Sequence, residues 1–255
     1  MVRVYLASLG SPTNLSVTIS GNYSLSTGTS LTSGETLSIA LNSSNGSITV
    51  NRGGIATNMG NYVALRRHSA TGTNGVLISQ ARKPGNPYPG DVAFRAVQQS
   101  SGYKLYVIVN IYIEDYLYGV LPYEMGSGAH AEALKAQAVA ARTYTVRMMS
   151  NRSGNLYDVV DTTGDQVYNG TPSGNSACVS AVDATKGIVL KNGGAYTATY
   201  YSASNGGQTE SILNAWGTSG LSYLSVKDDP FDLANTDSVV RKATIYANAQ
   251  TNGSS

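Results

Sequence analysis

The sequence predicts an α+β protein in which a platform of antiparallel strands carries one long helix. Residues 1 to about 110 consist of short segments rich in Val, Ile and Tyr, separated by turn residues. Residues 129–149 contain no Gly or Pro and are dense in strong helix formers. Strands and turns return after the helix, with no internal repeat and no alternation of strands and helices, so a parallel doubly wound sheet is disfavoured.

The strands of the first half are predicted from alternating apolar and polar residues, as in the segments LSVTIS, ETLSIAL and VAFRAV. The joints between them, among them SGN, SSNG and KPGNPYPGD, supply the Gly, Pro and Asn residues that turns require. The segment KLYVIVNIYI is predicted as a further strand. Together these patterns indicate an antiparallel meander.

The predicted helix has one apolar stripe of mostly small residues, which allows it to lie close against a sheet. The stripe recurs at spacings of 4, 3, 4 and 3 and consists of Leu134, Ala138, Ala141, Thr145 and Met148. Lys135 and Arg142 are seven residues apart and share another face, which either is solvated or faces a ligand. We therefore expect a groove near the start of the helix.

Composition and charge limit the function classes. The 255 residues include 17 basic and 15 acidic ones, so a nucleic-acid partner is not expected. The 18 Tyr and 28 Gly residues suit hydroxyl-rich ligands, although Tyr-rich antiparallel sheets give the same composition without a ligand. With one Cys and two His residues, no metal and no cofactor are expected. The sequence contains no run of 18 apolar residues, so no membrane span is predicted.

Glu124 is the candidate catalytic residue, because it lies among apolar and aromatic residues in YLYGVLPYEMGSG, just before the predicted helix. A carboxyl group that such neighbours desolvate has a raised pKa and can act as a general acid near neutral pH. The alternative is an ordinary solvated carboxylate beside a loop. The motifs of serine hydrolases and zinc proteases, GxSxG and HExxH, are absent from the sequence.

Several motifs in fixed order resemble those of the stage II sporulation protein D (SpoIID) family. The stretch IYIEDYLYGVLPYEM, followed by EALKAQAVAARTY, resembles the signature of that family. DTTGDQVYNG, AVDATKGIVLKNGG, YYSASNGGQTES and YLSVKDDPFD are similar to its later motifs, and AVDATKGIVL is expected to be a strand. The resemblance covers residues 86–232, which are predicted to be a SpoIID-like catalytic domain, and residues 233–255 are predicted to be a tail or linker. The β-rich region at residues 1–85 lies outside the clear resemblance and is either a wall-anchoring module or the remainder of the catalytic domain.

The resemblance implies a lytic transglycosylase of bacterial peptidoglycan, with Glu124 as its acid. Such an enzyme cleaves the glycan between N-acetylmuramic acid and N-acetylglucosamine and leaves a 1,6-anhydro end. Its relatives include amidase enhancers, so a non-catalytic peptidoglycan-binding module, with a cell-wall amidase as partner, is the first alternative. A structural spacer is the second. The expected location is extracytoplasmic, in the cell wall or secreted, with an export signal outside a chain that we expect to be part of a longer protein.

The resemblance also assigns a set of substrate-binding residues around Glu124. They are Lys135, Arg142, Gln166, Tyr168, Tyr201, Ser202, Ser204, Gly206, Gly207, Thr209 and Glu210. Structural alternatives stay open for several of them: core packing for Tyr168, turn capping for Ser202 and Ser204, and an ion pair between Glu210 and Arg142. Gly206 is expected to let the backbone approach the glycan, unless it is required by a turn with positive φ.

Residues 160–166 depart from the pattern of some sporulation members. Those proteins have Cys and His residues here that are associated with zinc, whereas this chain reads VDTTGDQ. Zinc is therefore not carried over, and the sequence leaves open whether the protein serves sporulation or the wall of growing cells.

Overall fold

The computed structural model describes residues 1–69, 74–202, 205–217 and 220–231. It confirms the predicted α+β class, with large antiparallel sheets and one long helix. The chain divides into two compact units, Met1–Thr199 and Tyr200–Ser255. Every strand of the described residues belongs to the first unit.

The strands of the first unit are numbered in chain order. They are β1 (Val2–Tyr5), β2 (Asn14–Ser20), β3 (Tyr23–Leu25), β4 (Ser30–Leu31), β5 (Thr36–Leu41), β6 (Ile48–Arg52), β7 (Ile55–Asn58), β8 (Tyr62–Arg67), β9 (Gly75–Ile78), β10 (Asp91–Gln99), β11 (Gly102–Ile111), β12 (Val159–Val160), β13 (Lys191–Asn192) and β14 (Ala195–Tyr196).

These strands form two large sheets and one hairpin. A seven-stranded sheet has the order β12-β1-β11-β10-β8-β3-β4, and a five-stranded sheet has the order β7-β6-β5-β2-β9. Pairs within the sheets are antiparallel except β1 and β12, which run parallel. The larger sheet combines strands from both sides of residue 85, where the sequence predicts a domain boundary.

The predicted alternation is visible in the burial of side chains. In β2 the apolar residues Leu15, Val17 and Ile19 are at most 1% exposed, and the residues between them are partly exposed. In β1, Val2 and Val4 are fully buried. One continuous apolar core therefore lies beneath both sheets and extends to the helices.

The helices are α1 (Ile113–Glu124), α2 (Ala131–Asn151), α3 (Ser176–Ala184) and α4 (Ile212–Trp216), the last in the second unit. The long helix α2 matches the helix predicted at 129–149, and its whole predicted stripe is buried. Its first turn is capped by His130, whose Nδ1 accepts a hydrogen bond from the Glu132 N–H at 3.2 Å.

Two helices replace expected strands or loops. The predicted strand KLYVIVNIYI ends at Ile111, and α1 follows from Ile113. Its aromatic and β-branched residues favour a strand by propensity, but Tyr116, Leu117, Val120 and Leu121 are buried at helical spacing. The expected strand over AVDATKGIVL is also wrong, because residues 181–184 complete α3 and no strand follows before β13.

Candidate active site around Glu124

Glu124 is the last residue of α1, and its side chain is half-buried. Its Oε1 accepts a hydrogen bond from the backbone N–H of Val167 at 3.0 Å. Within the described residues, that N–H is its one hydrogen-bond donor, so Oε2 has no partner there. The carboxyl group is thus fixed at one oxygen and available at the other.

Burial raises the pKa of Glu124 above its ordinary value of 4.5, and the Val167 N–H opposes the shift by stabilising the anion. The position at the C-terminal end of a helix acts in the same direction as burial, because the carbonyl groups there disfavour a negative charge. The group is therefore held closer to the protonated state that proton donation requires.

Helix α1 contains a proline two residues before Glu124. Pro122 has no N–H, so the carbonyl of Tyr118 lacks its ordinary helical donor. The side chain of Asn175 supplies one, because its Nδ2 donates to that carbonyl at 2.8 Å. The middle of α1 is thereby tied to the residue that precedes α3, so the helix that carries Glu124 is held by a contact from outside it.

A glycine in the middle of α1 allows the helix to pack closely. A Cβ at Gly119 would lie 2.4 Å from the ring of Tyr168 and 2.7 Å from the carbonyl oxygen of Gly170. Only glycine fits there without displacing its neighbours. The glycine in the YGV part of the signature is thus explained by the close packing of α1 against residues 168–170.

The segment that donates to Glu124 is anchored on both sides. Asp165 accepts hydrogen bonds from Tyr144, from Arg152 and from the backbone N–H of Val160, at 2.6, 2.8 and 2.8 Å. Gln166 is 1% exposed, and its Oε1 accepts from the Thr145 hydroxyl at 2.8 Å. These bonds fix residues 165–167 against α2 and so position the Val167 N–H.

Tyr123, which precedes Glu124 in the sequence, belongs to a second hydrogen-bonded group that is centred on Asn86. Asn86 donates from Nδ2 to the hydroxyl of Tyr123 at 2.7 Å and to the carbonyl of Asn169 at 3.0 Å. Sequence analysis did not select Asn86 or Tyr123. The only signal for Tyr123 was its place next to Glu124 in PYEM, and Asn86 is brought there by the fold.

Arg142 is buried and pairs with Glu114. Its side chain is 1% exposed, and Nη2 lies 2.7 Å from Glu114 Oε2. Further bonds run from Nη2 to the Val182 carbonyl and from Nη1 to the Ile188 carbonyl, both at 3.2 Å. The partner of Arg142 is therefore Glu114 rather than Glu210, and the ion pair joins α1, α2 and the end of α3.

The other predicted residues of the first unit fall into two environments. Lys135 is partly exposed and pairs with Glu132 at 2.8 Å on α2. Tyr168 is fully buried, with its ring 5.0 Å from that of Tyr116 and 5.6 Å from that of Tyr88. Tyr168 therefore packs in the core of the first unit, and Gln166 is also buried there.

The remaining predicted residues belong to the second unit. Tyr201 and Ser202 are exposed, and Ser204 lies outside the described residues. Gly206 and Gly207 have φ of 71° and 94°, in the left-handed region that favours glycine. Gly206 thus has the positive φ that the turn alternative requires.

Thr209 and Glu210 make local hydrogen bonds within the second unit. The Thr209 hydroxyl accepts from the Lys227 N–H at 2.7 Å. Glu210 accepts from the Ser211 N–H at 2.6 Å and from Asn214 at 3.0 Å.

The residues at 160–166 do not fit the zinc site of some sporulation members. Asp161 accepts two bonds from Ser8, and Asp165 is held by Arg152. No group of three His, Cys, Asp or Glu residues suited to a metal ion occurs in the part of the chain that the structure describes.

Comparisons with known proteins show which part of the chain resembles other proteins. The family model described as "SpoIID: Stage II sporulation protein" matches residues 101–191. The matched range includes Glu114, Glu124, Arg142 and Gln166, and it ends before the 201–210 loop.

Three curated relatives show the extent of the likeness. The chain is 47% identical over 116 residues to the amidase enhancer of Bacillus subtilis, covering 46% of this chain and 15% of that protein. It is 37% identical over 143 residues to stage II sporulation protein D of the same organism, covering 49% and 40%. It is 45% identical over 120 residues to an uncharacterised protein of Brachyspira hyodysenteriae, covering 46% and 32%.

The chain thus matches less than half the length of each of these relatives. Among the described residues, no helix has the length and apolar character needed to cross a membrane. Motifs, family match and relatives agree that the chain is similar to the SpoIID family over less than half of its length.

Proposed function

We propose that this SpoIID-like domain is a lytic transglycosylase that cleaves the glycan strands of bacterial peptidoglycan, with Glu124 as acid and then as base. The observation that carries the proposal is the state of Glu124: half-buried, with a raised pKa, held at one oxygen by the Val167 N–H. No cofactor takes part. Because peptidoglycan lies outside the cytoplasmic membrane, the proposal places the protein in the cell wall or in the secreted fraction.

The chemistry needs a single carboxyl group. Protonated Glu124 donates its proton to the glycosidic oxygen as the bond to N-acetylmuramic acid breaks and oxocarbenium character develops. The resulting carboxylate accepts the proton of the C6 hydroxyl of the same sugar, whose oxygen closes the 1,6-anhydro ring. Ordinary glycosidases need a second carboxylate to activate water or to act as nucleophile. Here the nucleophile belongs to the substrate.

The buried residues that the sequence assigned to substrate receive positioning roles in this proposal. Arg142 holds α1 through Glu114, Gln166 orients the segment before Val167, and Tyr168 fills the space at Gly119. Each acts on Glu124 through the backbone that carries it or its partner.

Glycan contacts are proposed for Lys135 and for residues of the second unit. Lys135 is included, because its pair with Glu132 is exposed and can open at small cost. The others lie in the second unit and are Tyr201, Ser202, Ser204, Gly206, Gly207, Thr209 and Glu210. Their hydroxyl and amide groups are of the kind that bonds sugar hydroxyls.

The test is the Glu124→Gln variant on purified glycan strands, with and without peptide stems. We expect turnover to fall at least about 100-fold, the usual contribution of positioned proton transfer. Mass spectrometry of the products measures 1,6-anhydro ends. Glu132→Gln is the matched control, because Glu132 is exposed on α2, and it should retain activity. Near-wild-type turnover of Glu124→Gln would contradict the proposal.

A second candidate is supported by the similarity to the amidase enhancer. In that case the domain binds peptidoglycan and stimulates a cell-wall amidase without cleaving glycan. Stimulation of a purified amidase by Glu124→Gln, together with no glycan product from the wild-type chain, would favour this role over the first.

A further inference from the structure

A cavity of about 650 Å³ lies within the first unit, on a side of α1 that does not include Glu124. We call it the Arg67 pocket. Its apolar walls come from Leu77 in β9, from Pro87 and Pro89 in the loop before β10, and from Pro172 before α3. The volume is in the range of small-molecule sites. Polar residues contribute as much of the lining as apolar ones, and Ser20, Asn74 and Thr171 are among them.

A buried cation lines this pocket. The side chain of Arg67, the last residue of β8, is 7% exposed, and its Nη1 lies 3.1 Å from Asp115 Oδ2. Its Nε is buried and has no hydrogen-bond partner among the described residues. A guanidinium has five N–H donors, so some can donate to Asp115 while others donate to a second carboxylate. Arg67 is thus paired with Asp115, but that pair does not use all of its N–H donors.

The rest of the polar lining suits an amide group next to that carboxylate. Asn175 lines the pocket and spends its Nδ2 on the Tyr118 carbonyl, so its side-chain oxygen is the atom it offers as an acceptor. Ser173 adds a hydroxyl at the rim. Tyr118 is the one aromatic residue among the lining, and its hydroxyl donates to Asp183 at 2.6 Å. With a single aromatic ring among the described lining residues, the pocket is a poor platform for stacking sugars.

We propose that the Arg67 pocket binds the free carboxyl end of a short peptide. The terminal carboxylate contacts the Arg67 guanidinium, the last peptide N–H donates to Asn175, and small aliphatic side chains pack on the prolines. Asp115 and Glu124 are nine residues apart on α1, about 13 Å along the axis at 1.5 Å per residue. The site is therefore separate from the carboxyl group of the proposed reaction, and the inference does not depend on that reaction.

The probe is N-acetyl-alanyl-alanine, in the L,L and the D,D form, titrated into the whole chain by calorimetry. The C-terminal amides of both peptides are the matched ligands without the carboxylate. We expect at least one acid to bind with a Kd on the order of 1 mM or tighter, and its amide to bind at least about tenfold more weakly. Preference for the L,L acid would indicate the end of an ordinary protein chain, and preference for the D,D acid would indicate a wall peptide.

Arg67→Met should weaken binding of the acid at least about tenfold. Arg66→Met is the matched control, because Arg66 precedes Arg67 on the same strand, pairs with Asp91 and is 48% exposed outside this pocket. It should keep the wild-type affinity. If Arg67→Met fails to fold, Ser173→Trp obstructs the rim without touching a charge and should abolish binding.

Three results would overturn the inference. One is that neither acid binds. Another is equal binding of acid and amide, or of wild type and the folded pocket variants. The third is binding of di-N-acetylchitobiose that Ser173→Trp abolishes while the acids do not bind, which would make this a sugar site.

Discussion

At the scale of single residues, the chemistry depends on what surrounds a carboxyl group more than on its sequence neighbours. Glu114, Asp115 and Glu124 all lie on α1, yet they differ in role. Glu114 forms the buried ion pair with Arg142, Asp115 pairs with Arg67, and Glu124 meets one backbone N–H. Glu124 is the one of the three without a cationic partner, which makes it the suitable proton donor.

The raised pKa of Glu124 gives a prediction with a defined sign. Since the folded pKa lies above the unfolded value, the folded state holds the proton more tightly, and stability falls as the pH rises from 4.5 through the raised pKa. Glu124→Gln removes this loss. We expect its Tm to exceed that of the wild type near pH 7, with the difference absent near pH 4.

Thermal unfolding of both proteins across this range measures the effect. Under the proposed mechanism, activity should fall in the same direction, because the protonated form of Glu124 is lost as the pH rises above its pKa. The glutamine variant could instead be less stable than the wild type by the same amount at neutral and at acid pH. That result would mean that burial does not penalise the charge of Glu124.

At the scale of elements, α1 is the part of the fold on which the site depends. It is short and carries both a proline and a glycine, which lower intrinsic helix stability. Tertiary contacts replace what the helix lacks: Asn175 serves the carbonyl freed by Pro122, and the ring of Tyr168 occupies the space beside Gly119.

Gly119→Ala tests the close packing. Alanine has the higher helix propensity, but its Cβ meets the ring of Tyr168 and the carbonyl of Gly170. We expect a net loss of about 1–3 kcal/mol in the free energy of unfolding. Gly128→Ala is the control, because no atom lies within 4 Å of its added Cβ. Urea unfolding gives both values, and equal stability of the two variants would refute the packing argument.

The bond between Asn175 and Tyr118 is tested by a double-mutant cycle. Asn175→Ala leaves the Tyr118 carbonyl without its donor and should cost about 1–3 kcal/mol. Pro122→Ala restores an N–H that can serve the same carbonyl, so Asn175→Ala should cost less in that background. The coupling free energy comes from four unfolding curves. A coupling of zero would show that Asn175 stabilises α3 for another reason.

At the scale of the whole molecule, the first strand connects segments of the first unit that are distant in the sequence. β1 lies between β11 and β12 in the larger sheet, and Arg3 binds Asp158 across 155 positions of sequence. Residues near the start of the chain therefore hold the segment that leads to Val167. The order of contacts is non-local, and the start of the chain contributes to the site without carrying any of its chemistry.

Val4→Ala tests this dependence. Val4 is fully buried in β1, and its truncation should cost about 1–3 kcal/mol and lower the Tm of the unit that contains Glu124. Ile55→Ala on β7 is the control, because Ile55 is 72% exposed, and its effect should stay within about 0.5 kcal/mol. If Val4→Ala unfolded β1 while Glu124 activity kept its wild-type thermal stability, the strand would be dispensable for the site.

Local patterns in the sequence were enough for part of this description. Alternation predicted β2, β5 and β10, and residue propensity predicted α2 to within two residues at each end. The motif order identified the family, and the apolar neighbours of Glu124 predicted the direction of its pKa shift. These features succeed because each depends on residues that are close in sequence.

The tertiary structure decided the features that depend on distant residues. It made a helix of the segment ending at Glu124, because burying Tyr116, Leu117, Val120 and Leu121 together outweighs the preference of Tyr116 and Val120 for a strand. It also gave Arg142 to Glu114. Burial of a charge requires a partner at the right place in space, and 28 residues of separation do not reveal which carboxylate that is. The sequence by itself singled out Glu124 as the candidate and showed the likeness to the SpoIID family, and only the packing of α1 against α2 and α3 decided which residues surround that carboxyl group.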